Sequence, residues 1–108
     1  MAGAAILILT QMPDRASAQS LARALVEARL AACVSIGAPV ESLYHWRGEI
    51  ETAQEVPVAV KTRAERYAEV EAAIRARHPY ELPEILAVPV VHGLAPYLDW
   101  IAGETASV

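Results

Sequence analysis

Phenylalanine is absent from the 108 residues, cysteine occurs once and glycine five times. One cysteine cannot close an internal disulfide, and no Cys/His spacing resembles a closed zinc site. Cysteine usage of that kind places the chain in the cytoplasm as an expectation. The scattered glycines supply no dinucleotide or phosphate loop. Positive charge is also short: 9 Lys+Arg stand against 13 Asp+Glu, a net −4, with a pI near 5.3. An acidic chain without a Lys/Arg cluster repels a phosphate backbone, which excludes nucleic acid as the expected partner. The apolar runs, such as Ala4–Leu9, are far shorter than the ~20 residues of a membrane span. No basic stretch precedes that run, so it reads as a strand and not as a signal peptide. Neither a Ser-His-Asp constellation, nor catalytic Cys-His spacing, nor an H-E-x-x-H helix is present, and nothing argues for an enzyme.

Apolar residues, by contrast, are plentiful. They make up 55% of the chain, with only 20% charged and a mean hydropathy of +0.27. A chain of this length holds a single domain, here 1–108. So apolar a composition in so small a domain predicts surface covered by a partner subunit.

The pattern along the chain predicts alternating strands and helices. Ala4–Thr10 reads as a strand buried on both faces. Asp14 caps a helix running to about Leu30, with Leu21, Leu25, Val26 and Leu30 on its apolar stripe. Cys33–Ile36 and Val40–Trp46 are extended, interrupted by Gly37-Ala38-Pro39. Arg47-Gly48 forms a two-residue hairpin turn, and the return strand runs from Glu49 to Val60. Glu41, Glu49, Glu51 and Glu55 solvate that hairpin, part of which should project beyond the sheet. Thr62 with Glu65 forms a capping box for a second helix, ended near Arg77 by His78-Pro79. Glu84–Val91 reads as an edge strand because of Pro89. Pro96 opens a short last helix, Gly103 stops it, and residues 104–108 fray. This order, β-α-β-β-α-β plus a short C-terminal helix, fits an α+β ferredoxin-like split βαβ sandwich with a long hairpin. Pro57 falls in a central strand, where a bulge or unpaired segment is expected.

Several segments together resemble the CutA family of divalent-cation-tolerance proteins. They are Pro13-Asp14, Leu30–Val34, Tyr44-x-Trp46-x-Gly48-x-Ile50, Lys61-Thr62-Arg63, His78-Pro79-Tyr80-Glu81-x-Pro83-Glu84-Ile85 and Tyr97-Leu98-x-Trp100. The resemblance runs from about Ile6 to Ala102. It implies a small ferredoxin-like homotrimer linked to tolerance of copper and other divalent metals. Copper-binding members carry a cysteine near the end of strand one and two adjacent histidines before the Pro-Tyr. Thr10 and Arg77-His78 stand there in this chain.

The residues themselves offer a metal site at His78, Glu81 and Glu84, an imidazole followed by carboxylates at intervals of three. Such N/O donors suit a borderline divalent ion, Cu(II) most tightly. The other reading is a histidine favouring the helix dipole beside solvated carboxylates. His45, His92 and Met12 are the available substitutes for the missing ligands. Any cation, Cu2+ or another, is expected to bind weakly and not to be required for folding. Cys33 is either a soft-metal ligand or redox site or, as its neighbours Ala31, Ala32 and Val34 and the lack of a cation before it favour, a small buried hydrophobe. Val40, Leu43, Tyr44, Trp46 and Ile50 on the hairpin are the expected trimer interface. Lys61, Arg63 and Arg66 present either a solvated face or, in an alternative reading, the anion or nucleotide site of a small-ligand sensor. A third reading is a structural trimer that scaffolds a protein partner.

Overall fold

The computed structural model describes residues 4–106. The elements are β1 (Ala5–Met12), α1 (Arg15–Glu27), β2 (Cys33–Ile36), β3 (Val40–Trp46), β4 (Glu49–Arg63), α2 (Tyr67–Arg77), β5 (Ile85–Pro89) and α3 (Ala95–Glu104). A 3-10 turn at Ala64–Arg66 leads into α2. The antiparallel strands lie in the order β2-β4-β1-β5, and β3 pairs with β4 outside this path. This is the ferredoxin-like α+β arrangement.

Alternation in β1 sets the layers. Ile6, Ile8, Thr10 and Met12 are buried, and the residues between them are half-buried. The first strand is therefore covered on one face, not on both as its unbroken apolar run suggests. The covering layer comes from α1 and α2, whose Leu21, Leu25, Val70 and Ile74 pack on Ile8, Met12, Val58 and Val60. Each such fully buried aliphatic side chain contributes about 1.5–3 kcal/mol. Ala5, Leu7, Leu9 and Gln11 turn to the opposite face.

Asp14 caps α1 as its position predicts, with its carboxylate accepting the Ser17 N–H at 2.7 Å. The helix ends earlier than its apolar stripe. Arg29 takes a left-handed conformation, and the Leu30 and Ala31 amides both close on the Leu25 carbonyl. The capping box does not form. Thr62 is still in β4, where its hydroxyl donates to the Leu30 carbonyl at 2.7 Å, so the strand keeps the residue that local pattern assigns to a helix. β5 stops at Pro89, two residues short of the expected end. Gly103 does not stop α3, which continues to Glu104. Thr105 is buried there: its hydroxyl donates to the Ile101 carbonyl, and Arg63 and Arg66 donate to its own carbonyl. Residues 104–106 are thus anchored, whereas 107 and 108 lie outside the described residues.

Pro57 sits opposite Gln11 in an unbroken β1–β4 register. The irregularity lies on the other side. Ile36 pairs with Val58 and Val40 with Glu55, so Gly37, Ala38 and Pro39 stand opposite only Val56 and Pro57. The Pro57 carbonyl faces that break and accepts the Gly37 N–H at 2.9 Å. The missing N–H faces the same way, and the β1 ladder loses nothing.

Beyond this break β3 and the first half of β4 leave the sheet as a two-stranded ribbon, turned at Arg47-Gly48 with both residues at positive φ. The molecule is correspondingly long, 47 × 26 × 23 Å. Among the described residues no helix is long and apolar enough to cross a membrane.

Candidate functional site

A cleft of about 750 Å³ opens where the ribbon leaves the sheet. One wall is the ribbon, with Ser42, Leu43, Tyr44, Trp46 and Glu55; the other is the connection from α2 to β5, Tyr80–Glu84. Local chemistry fixes both walls. Strand alternation puts Val40, Tyr44 and Trp46 on one ribbon face with Glu49, Glu51 and Glu55, and Leu43, His45 and Ile50 on the other. His78 ends α2 and turns under β1, which carries Tyr80 over the base of the ribbon.

His78 is 9% exposed. Its Nε2 lies 2.6 Å from the Gln11 carbonyl, and its Nδ1 accepts the Tyr80 N–H at 3.2 Å. A carbonyl only accepts, so these partners select the Nε2–H tautomer. The imidazole also meets the Tyr80 ring at 4.5 Å between centroids. Both nitrogens are thus engaged within the chain. Glu81 pairs with Arg47 at 2.7 Å on the cleft rim, and the Arg47 guanidinium stands 5.3 Å from the Trp46 ring centroid. Exposed pairs of this kind add about 0–1 kcal/mol. Glu84 lines the cleft and is exposed. The three residues expected to hold a cation therefore share one loop, but two of them already have partners.

The substitutes do not gather around them. Met12 is buried in the core, His45 pairs opposite Ile50 on the exposed ribbon, and His92 lies in the loop after β5. Among the described residues no group of three or more His, Cys, Asp or Glu is arranged to hold a metal ion. Cys33 is partly exposed and outside the core. Register sets it beside Lys61 on the face away from α1 and α2, with Nζ 3.9 Å from Sγ. The cations read as a trio are separated too. Lys61 stands at Cys33, while Arg63 and Arg66 hold Thr105.

Sequence reasoning assigned Glu55 to the solvated hairpin, yet it is 9% exposed. It sits just past the end of the β1 register and opposite Val40, at the floor of the cleft. Burial, then the charge of Glu55, then Tyr44 raise the Tyr80 hydroxyl above the ordinary tyrosine value of 10.0. The one sequence signal for a special position was Pro57, two residues on, which marks where the ribbon departs from the sheet.

Similar proteins share this whole architecture. The sequence profile of the family described as CutA1 divalent ion tolerance protein matches residues 6–104. The divalent-cation tolerance protein CutA of Thermus thermophilus is 40% identical over 99 residues, covering 92% of this chain and 96% of that one. Protein CutA of Mus musculus is 42% identical over 89% of this chain, which spans only 54% of the mouse protein. The structure of the Archaeoglobus fulgidus relative, described as a periplasmic divalent cation tolerance protein, superposes with a TM-score of 0.91. It is 40% identical, over 94% of this chain and 99% of that one. With the profile match and these identities running nearly end to end, the chain belongs to the CutA1 divalent ion tolerance family.

Proposed function

We propose that the chain acts without catalysis, as a cytoplasmic homotrimer, in the response to divalent metal ions, and that it binds Cu(II) or another divalent cation weakly. The observation that carries the metal reading is the position of His78, Glu81 and Glu84 on one loop beside an acidic cleft. Weakness follows from the same geometry: an incoming ion must take an imidazole nitrogen from a backbone partner and compete with Arg47 for Glu81. Two exposed apolar surfaces support the trimer. One is the ribbon, where Leu43 and Ile50 are 66% and 72% exposed. The other is the β5 edge with the segment after it: Leu86, Val88, Val91, Leu94, Tyr97 and Trp100. Two different surfaces on one chain suit head-to-tail contacts, and those close as a ring. The free cysteine agrees with a reducing compartment. An anion or nucleotide sensor has less support, since Arg63 and Arg66 are committed to Thr105.

Calorimetric titration of Cu(II) into the parent and His78→Ala tests the metal reading. The variant is expected to lose most of the affinity, and equal stoichiometry and affinity would remove His78 from the site. Sedimentation equilibrium at micromolar concentration is expected to return three times 11.6 kDa. A folded monomer there would overturn the trimer.

A further inference from the structure

Little apolar area holds α3 to the sheet. Of its ten residues only Ile101 is buried, and among the described residues no side chain caps its first turn. An isolated helix shorter than about 12–15 residues is marginal in water. The contacts that dock it are polar and lie just past its end. The Thr105 hydroxyl donates to the Ile101 carbonyl at 2.7 Å and accepts from Arg63 Nε at 2.9 Å. The Thr105 carbonyl accepts from Arg63 Nη2 at 2.6 Å and from Arg66 Nε at 2.8 Å. Both arginine side chains are only 15% exposed, and each also pairs with a more exposed glutamate, Glu65 or Glu69. Arg29, held at a left-handed φ of 58° after α1, adds a longer bond to the Glu104 carbonyl at 3.4 Å. Guanidinium donors buried to this degree need acceptors, and Thr105 supplies them. When the segment lifts, water takes its place at the same donors, so the contact can open without stranding a charge.

We propose that Arg63, Arg66 and Thr105 form a clasp that seats α3 against β1 and β4, and that the seating of α3 controls assembly. The second half rests on the trimer reading: the flank of Leu94, Tyr97 and Trp100 offered to a neighbouring copy keeps its shape only while α3 is seated. The two arginines act through Thr105 and are positioning residues. The clasp draws on the end of β4, the turn before α2 and the end of α3. It therefore closes only on a folded sheet, and the flank is offered only then.

Limited proteolysis tests the clasp, at a protein concentration where parent and variants sediment alike. Chymotrypsin cuts at Tyr97 and Trp100 only when α3 opens, and the fragments are identified by mass. A lysine-specific protease cuts at Lys61, the only lysine, when the sheet itself opens. Arg63→Gln and Thr105→Val are expected to speed cleavage in α3 by about tenfold or more, with cleavage at Lys61 unchanged. Thr105→Ser keeps the hydroxyl and should match the parent. On dilution, the two loosened variants are expected to dissociate at a concentration where the parent is still a trimer. Thr105→Val decides the matter if Arg63→Gln does not fold. The clasp is overturned if α3 is cleaved at the parent rate in a folded variant. It is equally overturned if Lys61 is cut as much faster as α3, since Arg63 and Thr105 would then hold the whole fold. Control of assembly is overturned if α3 loosens and the trimer survives the same dilution. A parent that is monomeric throughout overturns the trimer reading and the assembly half of the proposal with it, and the cleavage rates alone then judge the clasp.

Discussion

Thr10 carries a hydroxyl at 1% exposure whose Oγ1 has no hydrogen-bond partner among the described residues. An unsatisfied buried hydroxyl costs about 1–3 kcal/mol, and valine has the same shape. Thr10→Val is expected to raise stability by about 1 kcal/mol, seen as a higher urea midpoint at unchanged slope. A lower midpoint would show that the hydroxyl is bonded in solution. Asp14 and Tyr67 act at opposite ends of the pH scale. Hydrogen bonds from the Ser17 backbone and side chain hold the Asp14 carboxyl below its ordinary 3.8. Its contribution is therefore present above that value and lost as pH falls through the depressed one. Asp14→Ala should flatten the acid limb of a stability–pH profile. Tyr67 donates its hydroxyl to Glu71 at 2.8 Å, which chiefly raises it above 10.0. Its contribution is complete below 10.0 and lost as pH rises through the raised value, so Tyr67→Phe should flatten the alkaline limb. Asp14 was legible in the sequence because a cap is a local device: a short acidic side chain before an apolar stripe. Glu55 was not, since its place in the cleft depends on the α2–β5 connection lying against the ribbon, and no local pattern carries that. Cys33 misled for a related reason. Small apolar neighbours indicate burial, but the residue that sets its surroundings is Lys61, supplied by strand register.

Among the elements, β4 departs most from local rules. It runs without a break from Glu49 to Arg63, serving the ribbon in its first half and the centre of the sheet in its second. Its continuation through Thr62 dissolved the capping box, because β1 pairs with it as far as Arg63 and a ladder outweighs one cap. The strands and hairpin were legible from β-branched runs and from Arg47-Gly48. Helix ends were less so, because apolar periodicity continues past the point where Arg29 turns the chain. The ribbon turn makes its own prediction. Gly48 has φ +81° with open space around its Cβ position, so Gly48→Ala is penalised by backbone conformation alone, about 1 kcal/mol. Gly48→Asn, which tolerates that region, should restore most of the loss in a denaturation series. At the other end of the ribbon, a Cβ on Gly37 would stand 2.8 Å from Pro57 Cγ, part of a ring with nowhere to rotate. Gly37→Ala should cost more than Gly48→Ala, on the order of 1–3 kcal/mol. The reverse ranking would mean that the break between β2 and β3 is soft.

On the scale of the whole molecule, the excess of apolar residues has a location. Ile50 and Leu43 on the ribbon and the β5–α3 flank on the sheet carry it outward, on two separate parts of a long body. Trp46→Glu places a charge on the half-buried ribbon face and is expected to weaken assembly, shown by a lower mass in sedimentation at unchanged helical signal. A trimer as stable as the parent's would shift the interface to the Leu43–Ile50 face. The order of elements and the antiparallel sheet could be read from the sequence because each strand and helix is bounded by its own breakers. The cleft could not, because it exists only where the α2–β5 loop crosses the ribbon.

That β4 belongs to two environments has a kinetic consequence. Amides of Lys61 and Val60 lie between β1 and β2 under the helices, and their hydrogen–deuterium exchange should require global opening. Among the described residues the segment from Glu49 to Gln54 pairs with β3 alone, and an isolated two-stranded ribbon is marginal in water. In a lone chain its amides should exchange by local fraying, orders of magnitude sooner. Once neighbouring copies cover the ribbon, the two halves of one strand should slow toward a common rate. The exchange contrast along β4 is thus an internal gauge of assembly, readable at dilutions where mass measurements fail.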